Sequence, residues 1–411
     1  MLTVISILFQ NALFVSIGSA RISIFEISAL ILILRYYVLR RERILLNKSA
    51  KQDMIVILLF FVITIIDCII FNGYEIQLYT EYLGLHKIGV DKLSFDISTI
   101  IVLIRFAFYW IIFEIITNYV KHVDYKMNDK NVISTIRVSV YIVCVLGVVQ
   151  VLTSRGYINA DFIMSIIHDK NMGAASAYYS NYTRLFSTFA EPSYCAPWMN
   201  AAIWALVYCK KDINTIERNS LISVLLVEFV LSASSAGFLS MVLMFLYYMY
   251  SNKSKKSFVL SLVIVCMAFF AYIATPIGNT ISAFIGDKIN STSGLSRFAY
   301  IVDCYRVFTE TYLMGVGYMK IKCMTLISGL LAQVGIIGTV SFIWIVFKKL
   351  SRKNYTNAQN VTKVFLIATL VGGEISCSGL AYLAPFWYGL LLFAMTNYSG
   401  VNTVNQRVGG V

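Results

Sequence analysis

Apolar segments long enough to cross a lipid bilayer recur along the sequence and constrain the fold more than any motif does. A membrane-spanning helix needs about 20 apolar residues. Charged residues make up 13% of this chain and hydrophobic residues 58%, whereas soluble domains carry about 25% charged residues. The apolar runs cover residues 2–19, 22–39, 54–71, 95–118, 135–153, 191–208, 220–250, 257–277, 323–347, 363–383 and 385–398. We therefore expect an all-α, polytopic integral membrane bundle.

The run at 220–250 is too long for one crossing. Its 31 residues would form a helix of about 46 Å, against a hydrocarbon core of about 30 Å. Two lysines and an arginine (210, 211 and 218) precede it and three lysines (253, 255 and 256) follow it, so both flanks favour the cytoplasm. Small polar residues and a glycine at 232–237 favour a turn there. The run should cross twice, which gives about 12 transmembrane helices with both termini inside.

The basic residues follow this topology. With 12 spans, 22 of the 34 lysines and arginines fall on short cytoplasmic segments. The net charge of +13 therefore reflects orientation, and no nucleic acid partner is predicted. Two segments on the outer side are long, at 154–190 and 278–322, and long loops between packed elements usually bind or catalyse. We expect a single transmembrane domain over residues 1–411, with its function on the outer side.

The first long segment ends in an arginine and a carboxylate near the start of a helix. Glu191-Pro192 should begin the sixth span, because proline suits the first turn and a carboxylate suits the positive end of the helix dipole. This favourable placement is one explanation for Glu191. The other is catalytic: with Arg184 seven residues earlier, Glu191 could take a proton from a substrate hydroxyl. His168 in the same segment is a second candidate base, although a single histidine in a loop is usually only solvated.

The second long segment predicts an amphipathic helix at the membrane surface. Apolar residues follow helical spacing from 298 to 312. Asp303, Arg306 and Glu310 should share the polar face, with Arg297 near the helix start. Charge pairs on a surface helix would also explain this pattern. A Gly-x-Gly follows at Gly315 and Gly317 and could direct backbone N–H groups at an anion, although this motif alone is weak.

Three arginines in the two long segments suggest a receptor for phosphate. A guanidinium group binds phosphoryl oxygens through paired donors and stays charged. Neither an Asp-x-Asp pair nor a cluster of histidine, cysteine and carboxylate occurs in the sequence, so neither a metal nor another cofactor is predicted. The predicted diphosphate ligands are Arg184, Arg297, Arg306, Gly315 and Gly317.

Other residues are secondary candidates. Asp303 lies on the predicted surface helix, while Arg105 and Glu374 lie within apolar runs, where an ionisable group is costly and often functional. They are also consistent with structural ion pairs. The eight cysteines form no metal-binding spacing. Cys304 and Cys323 share the second long segment, but nothing in their spacing requires a disulfide bond.

These features, taken in order, resemble the Wzy-type O-antigen and capsule polymerases, within the wider group of O-antigen ligase-like membrane glycosyltransferases. The resemblance covers most of the chain: the Arg184…Glu191-Pro192-Ser193 run, the paired short spans around 232–237, and Ser296-Arg297…Arg306…Gly315-Val316-Gly317. Ten residues separate Arg306 from Gly317, which is similar to the Arg-x10-Gly pattern of these polymerases. Arg184 lacks the corresponding glycine.

The resemblance implies a GT-C-like fold and an inverting glycosyl transfer on the periplasmic face of the bacterial inner membrane. A glycan would pass from undecaprenyl diphosphate to the non-reducing end of a fresh lipid-linked repeat unit. Arginines would stabilise the leaving diphosphate and a carboxylate, Glu191 before His168, would deprotonate the acceptor. Membrane lipid, lipid-linked oligosaccharides and a protein that regulates chain length are the partners implied.

Two alternatives remain open. The O-antigen ligase of the same superfamily shares these features, and the sequence hardly separates it from the polymerase. A flippase for lipid-linked oligosaccharides, which is not an enzyme, can have a similar length and number of spans. It needs a polar central cavity but no long outer segments, so the two long segments favour the enzyme.

Overall fold

The computed structural model of this protein is mostly helical. It describes residues 1–17, 20–40, 48–74, 93, 95–120, 125–168, 184–209, 212–251, 292–351, 356–376, 379–380 and 383–396. The predicted span at 257–277 lies outside the described residues, as do 169–183 and 278–291 of the two long segments.

Thirteen helices and one β-hairpin are found in the described part of the chain. The N-terminal elements are α1 (Leu2–Ser6), a 3₁₀ turn (Ile7–Phe9), β1 (Leu13–Ile17) and β2 (Ala20–Ser23). The helices that follow are α2 (Ile24–Arg40), α3 (Lys48–Ile70), α4 (Ile97–Val120), α5 (Tyr125–Ser154), α6 (Asp161–Ile167), α7 (Pro192–Tyr208), α8 (Thr215–Leu231), α9 (Ser235–Ser251), α10 (Thr292–Glu310), α11 (Leu326–Leu350), α12 (Asn357–Ile375) and α13 (Ala384–Ala394).

Four helices of the described residues are long and apolar enough to cross a membrane. Their apolar parts are Ala50–Ile70, Thr99–Val120, Met127–Ser154 and Leu326–Leu350. They belong to α3, α4, α5 and α11. Two shorter apolar helices, α9 and α13, accompany them. These helices support the assignment of the chain as a helical membrane protein.

The predicted division of the run at 220–250 is confirmed, because α8 and α9 are separate helices of 17 residues each. A turn at 232–234 joins them, and Ala233 adopts a positive φ of 46° there. The start of α7 at Pro192 is confirmed as well, with Glu191 as its N-cap residue.

The prediction of a spanning helix at 2–19 is wrong. The chain forms a five-residue helix, a 3₁₀ turn and then an antiparallel hairpin in which Ile17 pairs with Ala20. Polar residues recur in this run, and their side chains bond locally or to neighbours: Ser6 Oγ donates to the Thr3 carbonyl, and Gln10 Nε2 donates to the Tyr109 hydroxyl at 2.9 Å. Such local bonds compete with a continuous helix.

Large aromatic rings fill the centre of the bundle. Trp387 of α13 stacks on Tyr109 of α4 with 4.3 Å between ring centroids. Phe25 of α2 also stacks on Tyr109, with 5.1 Å between centroids. Trp198 of α7 meets Tyr388 edge to face at 5.6 Å. All of these side chains are buried, so the core is tightly packed around them.

Small residues bring several helix ends together on one side of the bundle. The contacts that define this side are Ala196–Gly237, Pro197–Gly372 and Ile327–Glu374. We call it the arginine end, because Arg184 bonds to the α8–α9 turn there. The opposite side, the lysine end, carries the buried Lys349–Asp53 ion pair, with 2.6 Å between Nζ and Oδ2.

Candidate functional site at the arginine end

Gln150 holds the segment that carries the first predicted site residues. This glutamine lies in the last two turns of α5 and is buried. Its Oε1 accepts hydrogen bonds from the peptide N–H groups of Phe186 at 3.0 Å and Ser187 at 2.8 Å. Its Nε2 donates to the Arg184 carbonyl at 3.2 Å. One side chain thus fixes the backbone from 184 to 187 against the bundle.

The Arg184 guanidinium caps a helix. Its Nε donates to the carbonyl of Ser232 at 3.1 Å and its Nη2 to the carbonyl of Ala233 at 2.9 Å. Ser232 is the C-cap residue of α8, where carbonyl groups lack helical partners and the dipole favours a cation. Two of the five guanidinium N–H donors are used in this way. The cap is a structural reason for an arginine here, in addition to the predicted binding of diphosphate.

His168 is buried rather than solvated, so the expectation of an exposed loop histidine is wrong. Its Nε2 donates to the Ser187 carbonyl at 2.6 Å, and its ring packs on Phe186 with 4.8 Å between centroids. Burial lowers the pKa of His168 to about 4, an effect that the hydrogen bond to Ser187 partly offsets. In this conformation the histidine supports the 184–187 backbone and does not reach the surface.

Glu191 is exposed at the start of α7. The Ser193 hydroxyl donates a hydrogen bond to its carboxylate, and no side-chain bond from Glu191 to the helix N–H groups is formed. Pro192 occupies the first turn, as predicted. An exposed carboxylate at the positive end of a helix dipole is favourably placed and stays open to an incoming hydroxyl group.

Arg306 of α10 forms an ion pair with Glu310. The Nε to Oε1 distance is 2.7 Å, and both side chains are about one third exposed. Tyr74, four residues after α3, donates a hydrogen bond from its hydroxyl to the other Glu310 carboxylate oxygen at 3.0 Å. Burial, and then the hydrogen bond with the Glu310 carboxylate, raises the pKa of Tyr74. The predicted i,i+4 pair is therefore present, and it connects α10 to the end of α3.

The prediction that Asp303 shares the polar surface with Arg306 is wrong. Asp303 is buried, with 1% of its surface exposed, while Phe298 and Tyr305 are 63% and 49% exposed. The reason is that α10 packs on α11 with the face that includes Asp303. Arg297 is half-buried near the start of α10, and no hydrogen bond or ion pair to it is found among the described residues.

Gly315 and Gly317 pack against a break in α11. Both have positive φ angles, of 95° and 103°. The Gly317 N–H donates to the Gln333 carbonyl at 2.8 Å, and the Gly315 N–H donates to Thr311 Oγ1 at 3.0 Å. A Cβ atom on Gly315 would lie 2.8 Å from the backbone nitrogen of Gly335. Both N–H groups thus have acceptors in the chain, and in this conformation they are not directed at a ligand.

The two intramembrane candidates have structural partners. Arg105 of α4 lies 2.9 Å from a carboxylate oxygen of Glu26 in the first turn of α2. Glu374, near the end of α12, accepts the peptide N–H of Ile327 at 2.9 Å and so caps the start of α11. Each residue thus joins two helices at or near the arginine end.

Three residues that contact the candidate site residues were not predicted from the sequence: Gln150, Tyr74 and Gly335. Gln150 lies in the apolar run at 135–153, where a glutamine suggests a buried hydrogen bond. Tyr74 carried no signal in the sequence. Gly335 stands in the middle of an apolar run, where a glycine lowers helix propensity. Among the residues that the structure describes, no group of three histidine, cysteine or carboxylate residues could hold a metal ion.

No protein-family model and no curated protein sequence matches the chain. The residues at the arginine end therefore carry the functional inference.

Proposed function

We propose that this chain is an inverting membrane glycosyltransferase of the Wzy polymerase type. It would span the bacterial inner membrane about 12 times with a GT-C-like fold, and its arginine end would face the periplasm. Its substrates would be repeat-unit oligosaccharides carried on undecaprenyl diphosphate. The sequence resemblance supports this proposal. So does the position of Arg184 and Glu191 at helix ends.

The observation that carries the proposal is the half-buried Arg297. Arg184 caps α8 and Arg306 pairs with Glu310, whereas Arg297 has no hydrogen-bonding or ionic partner among the described residues. Removing a guanidinium group partly from water is costly unless an acceptor compensates. A diphosphate offers such acceptors in a geometry that matches the guanidinium fork.

The proposed reaction assigns one step to each group. The acceptor hydroxyl oxygen forms a bond to the anomeric carbon of the donor, from the face opposite the diphosphate. The bond from that carbon to the diphosphate oxygen breaks, and the electron pair leaves with the diphosphate. Glu191 takes the hydroxyl proton. Arg297 of α10 stabilises the charge that develops on the leaving group.

The packed core favours an enzyme over a flippase. A flippase needs a polar cavity through the middle of the bundle. Here Tyr109, Trp198 and Trp387 fill the centre of the described helices, and each side chain is 1% exposed or less. This packing supports chemistry at one end of the bundle.

The test is an assay with purified protein in detergent and a lipid-diphosphate repeat unit, either alone or together with a lipid A core acceptor. A ladder of products that differ by one repeat unit is expected. Transfer only to a lipid A core acceptor would instead identify a ligase, and no transfer to either acceptor would contradict the proposal. Orientation is tested in cells with Tyr157→Cys and Tyr250→Cys, at exposed positions (76% and 86%) of opposite ends. An impermeant maleimide should label only the first.

A further inference from the structure

Two cysteines lie close together where α10 meets the start of α11. Cys304 of α10 and Cys323, three residues before α11, are 0% and 2% exposed and belong to one small apolar cluster. The Cys304 sulfur lies 3.8 Å from the carbonyl oxygen of Lys322, the residue before Cys323. In a trans peptide that oxygen is about 2.8 Å from the next Cα atom. The Cys304 sulfur is therefore within about 6.6 Å of the Cys323 Cα atom.

Both sulfurs also contact the same helical turn of α11. The Ser328 hydroxyl lies close to the Cys304 thiol. The Cys323 sulfur lies against Gly329, where an added Cβ atom would be only 2.4 Å away. Neighbouring residues of one turn thus hold the two thiols side by side. A bond between them requires Cα atoms within about 7 Å of each other and side-chain torsions that bring the two sulfurs to about 2.05 Å.

We propose that Cys304 and Cys323 form a disulfide bond that closes residues 305–322 into a covalent ring. In this reaction two thiols lose two protons and two electrons, and one sulfur–sulfur bond forms. The oxidant is a dithiol–disulfide oxidoreductase or a small disulfide, whose own disulfide takes up the electrons and protons. The proposal rests on the proposed function in one respect, namely that the arginine end faces an oxidising compartment.

The ring would contain the predicted binding residues of α10 and the glycine loop. Arg306, Gly315 and Gly317 all lie between the two cysteines. The bond would fix this loop against α11 independently of the hydrogen bond from Gly317 to the Gln333 carbonyl. Burial raises the pKa of the Cys304 thiol, so the folded protein holds a poor nucleophile there. Oxidation is therefore expected during folding, before the cluster closes.

The experiment counts thiols in the full-length protein. Cells are quenched in acid, and the denatured protein is alkylated with a polyethylene glycol maleimide with or without prior reduction. The chain has eight cysteines, so the expected result is six alkylated thiols without reductant and eight after it. Peptide mapping should find 304 joined to 323. Eight thiols without reductant, or a different pair, would overturn the proposal.

Control variants and a second oxidation separate the premises. Cys304→Ser and Cys323→Ser should each show seven thiols in both conditions, whereas Cys68→Ser should keep the difference of two. Cys68 is a matched control because it is 2% exposed and lies against Gly317. If cells yield eight free thiols, the purified protein is unfolded and then refolded into detergent with oxidised glutathione present, because the thiols are buried in the folded protein. Bond formation there would show that the orientation is wrong, and its absence would show that the geometry is wrong.

Discussion

The peptide N–H of Gly317 donates a hydrogen bond to the carbonyl oxygen of Gln333 at 2.8 Å. Gln333 lies two residues before Gly335, whose φ of 62° and ψ of −167° interrupt α11. Such a break leaves carbonyl groups without their helical donors, which is costly in an apolar environment. Val316 donates to the Ala332 carbonyl at 2.9 Å in the same way. The loop after α10 thus supplies the donors that the interrupted helix lacks.

Gly335→Ala should therefore destabilise the protein strongly. A Cβ atom at this residue would lie 2.1 Å from the Met314 carbonyl oxygen, in addition to the strain of a positive φ. Gly156→Ala is the matched control, because φ is +74° and an added Cβ meets nothing within 4 Å. Strain alone should cost about 1 to 2 kcal/mol, and the contact at Gly335 about 1 to 3 kcal/mol more. Thermal unfolding in detergent measures both, and equal losses would contradict the role of the loop contact.

Hydropathy predicted the long apolar helices α3, α4, α5 and α11, and also the turn between α8 and α9. It failed for residues 2–19, because polar side chains in an apolar run formed local bonds that hydropathy does not register. It also failed for the orientation of α10. Helical spacing shows that Asp303 and Arg306 lie near each other, but only packing against α11 decides that Asp303 is buried and Tyr305 exposed.

For the candidate site, the sequence identified charged residues but not their partners. Arg184 and Ser232 are 48 residues apart, and Gln150 and Ser187 are 37 apart. Such pairs form only after α5, α7 and α8 have packed, so no local pattern predicts them. The consequence is that one arginine of the predicted set caps a helix and a second is paired, whereas for Arg297 neither kind of contact is found among the described residues.

Substitution by lysine should therefore have different effects at Arg184 and at Arg297. Arg184→Lys keeps the charge but loses the fork that reaches the carbonyls of Ser232 and Ala233, so stability should fall by about 1 to 3 kcal/mol. Arg297→Lys should leave the melting temperature unchanged and reduce polymerisation about ten- to a hundred-fold. Melting curves and ladder assays on the same preparations test this. Arg155→Lys, exposed after α5, should affect neither, and an active Arg297→Lys would remove this residue from binding.

His168 should make stability depend on pH. Burial lowers its pKa from 6.5 to about 4, so between these values the unfolded chain binds a proton that the folded chain does not. Stability should therefore be full above pH 6.5 and fall as the pH approaches 4, by on the order of 3 kcal/mol at most. His168→Gln keeps an N–H donor for the Ser187 carbonyl and does not titrate. Melting temperatures from pH 4 to 8 should show a smaller acid loss for this variant than for wild type, and equal losses would contradict the assignment.

The ion pair at the lysine end should be sensitive to loss of one partner. Lys349 and Asp53 are 3% and 4% exposed, and the Lys349 Nζ atom also lies 4.2 Å from the centroid of the Phe113 ring. Asp53→Asn removes the carboxylate that pairs with this buried cation, at a cost of about 3 to 5 kcal/mol. Adding Lys349→Met removes that cation, so the double variant should be more stable than the single one. Asp96→Asn weakens the half-exposed pair with Lys320 and should cost less than about 1 kcal/mol. Additive losses in the double variant would show that the pair is not coupled.

Glu191 should be essential for turnover and dispensable for folding. Glutamine is nearly the same size and can still accept the Ser193 hydroxyl, but it cannot take a proton from an acceptor sugar. Glu191→Gln should therefore bind substrate and give no ladder. Its free energy of unfolding should stay within about 1 kcal/mol of the wild-type value. Ser193→Ala removes the hydroxyl and keeps the carboxylate, so it should remain active. An active Glu191→Gln would remove this residue from the chemistry. His168 is buried beneath Phe186 and Ser187. A His168 variant that loses both activity and stability would show that this histidine supports the backbone. A variant that loses activity at unchanged stability would make His168 the base.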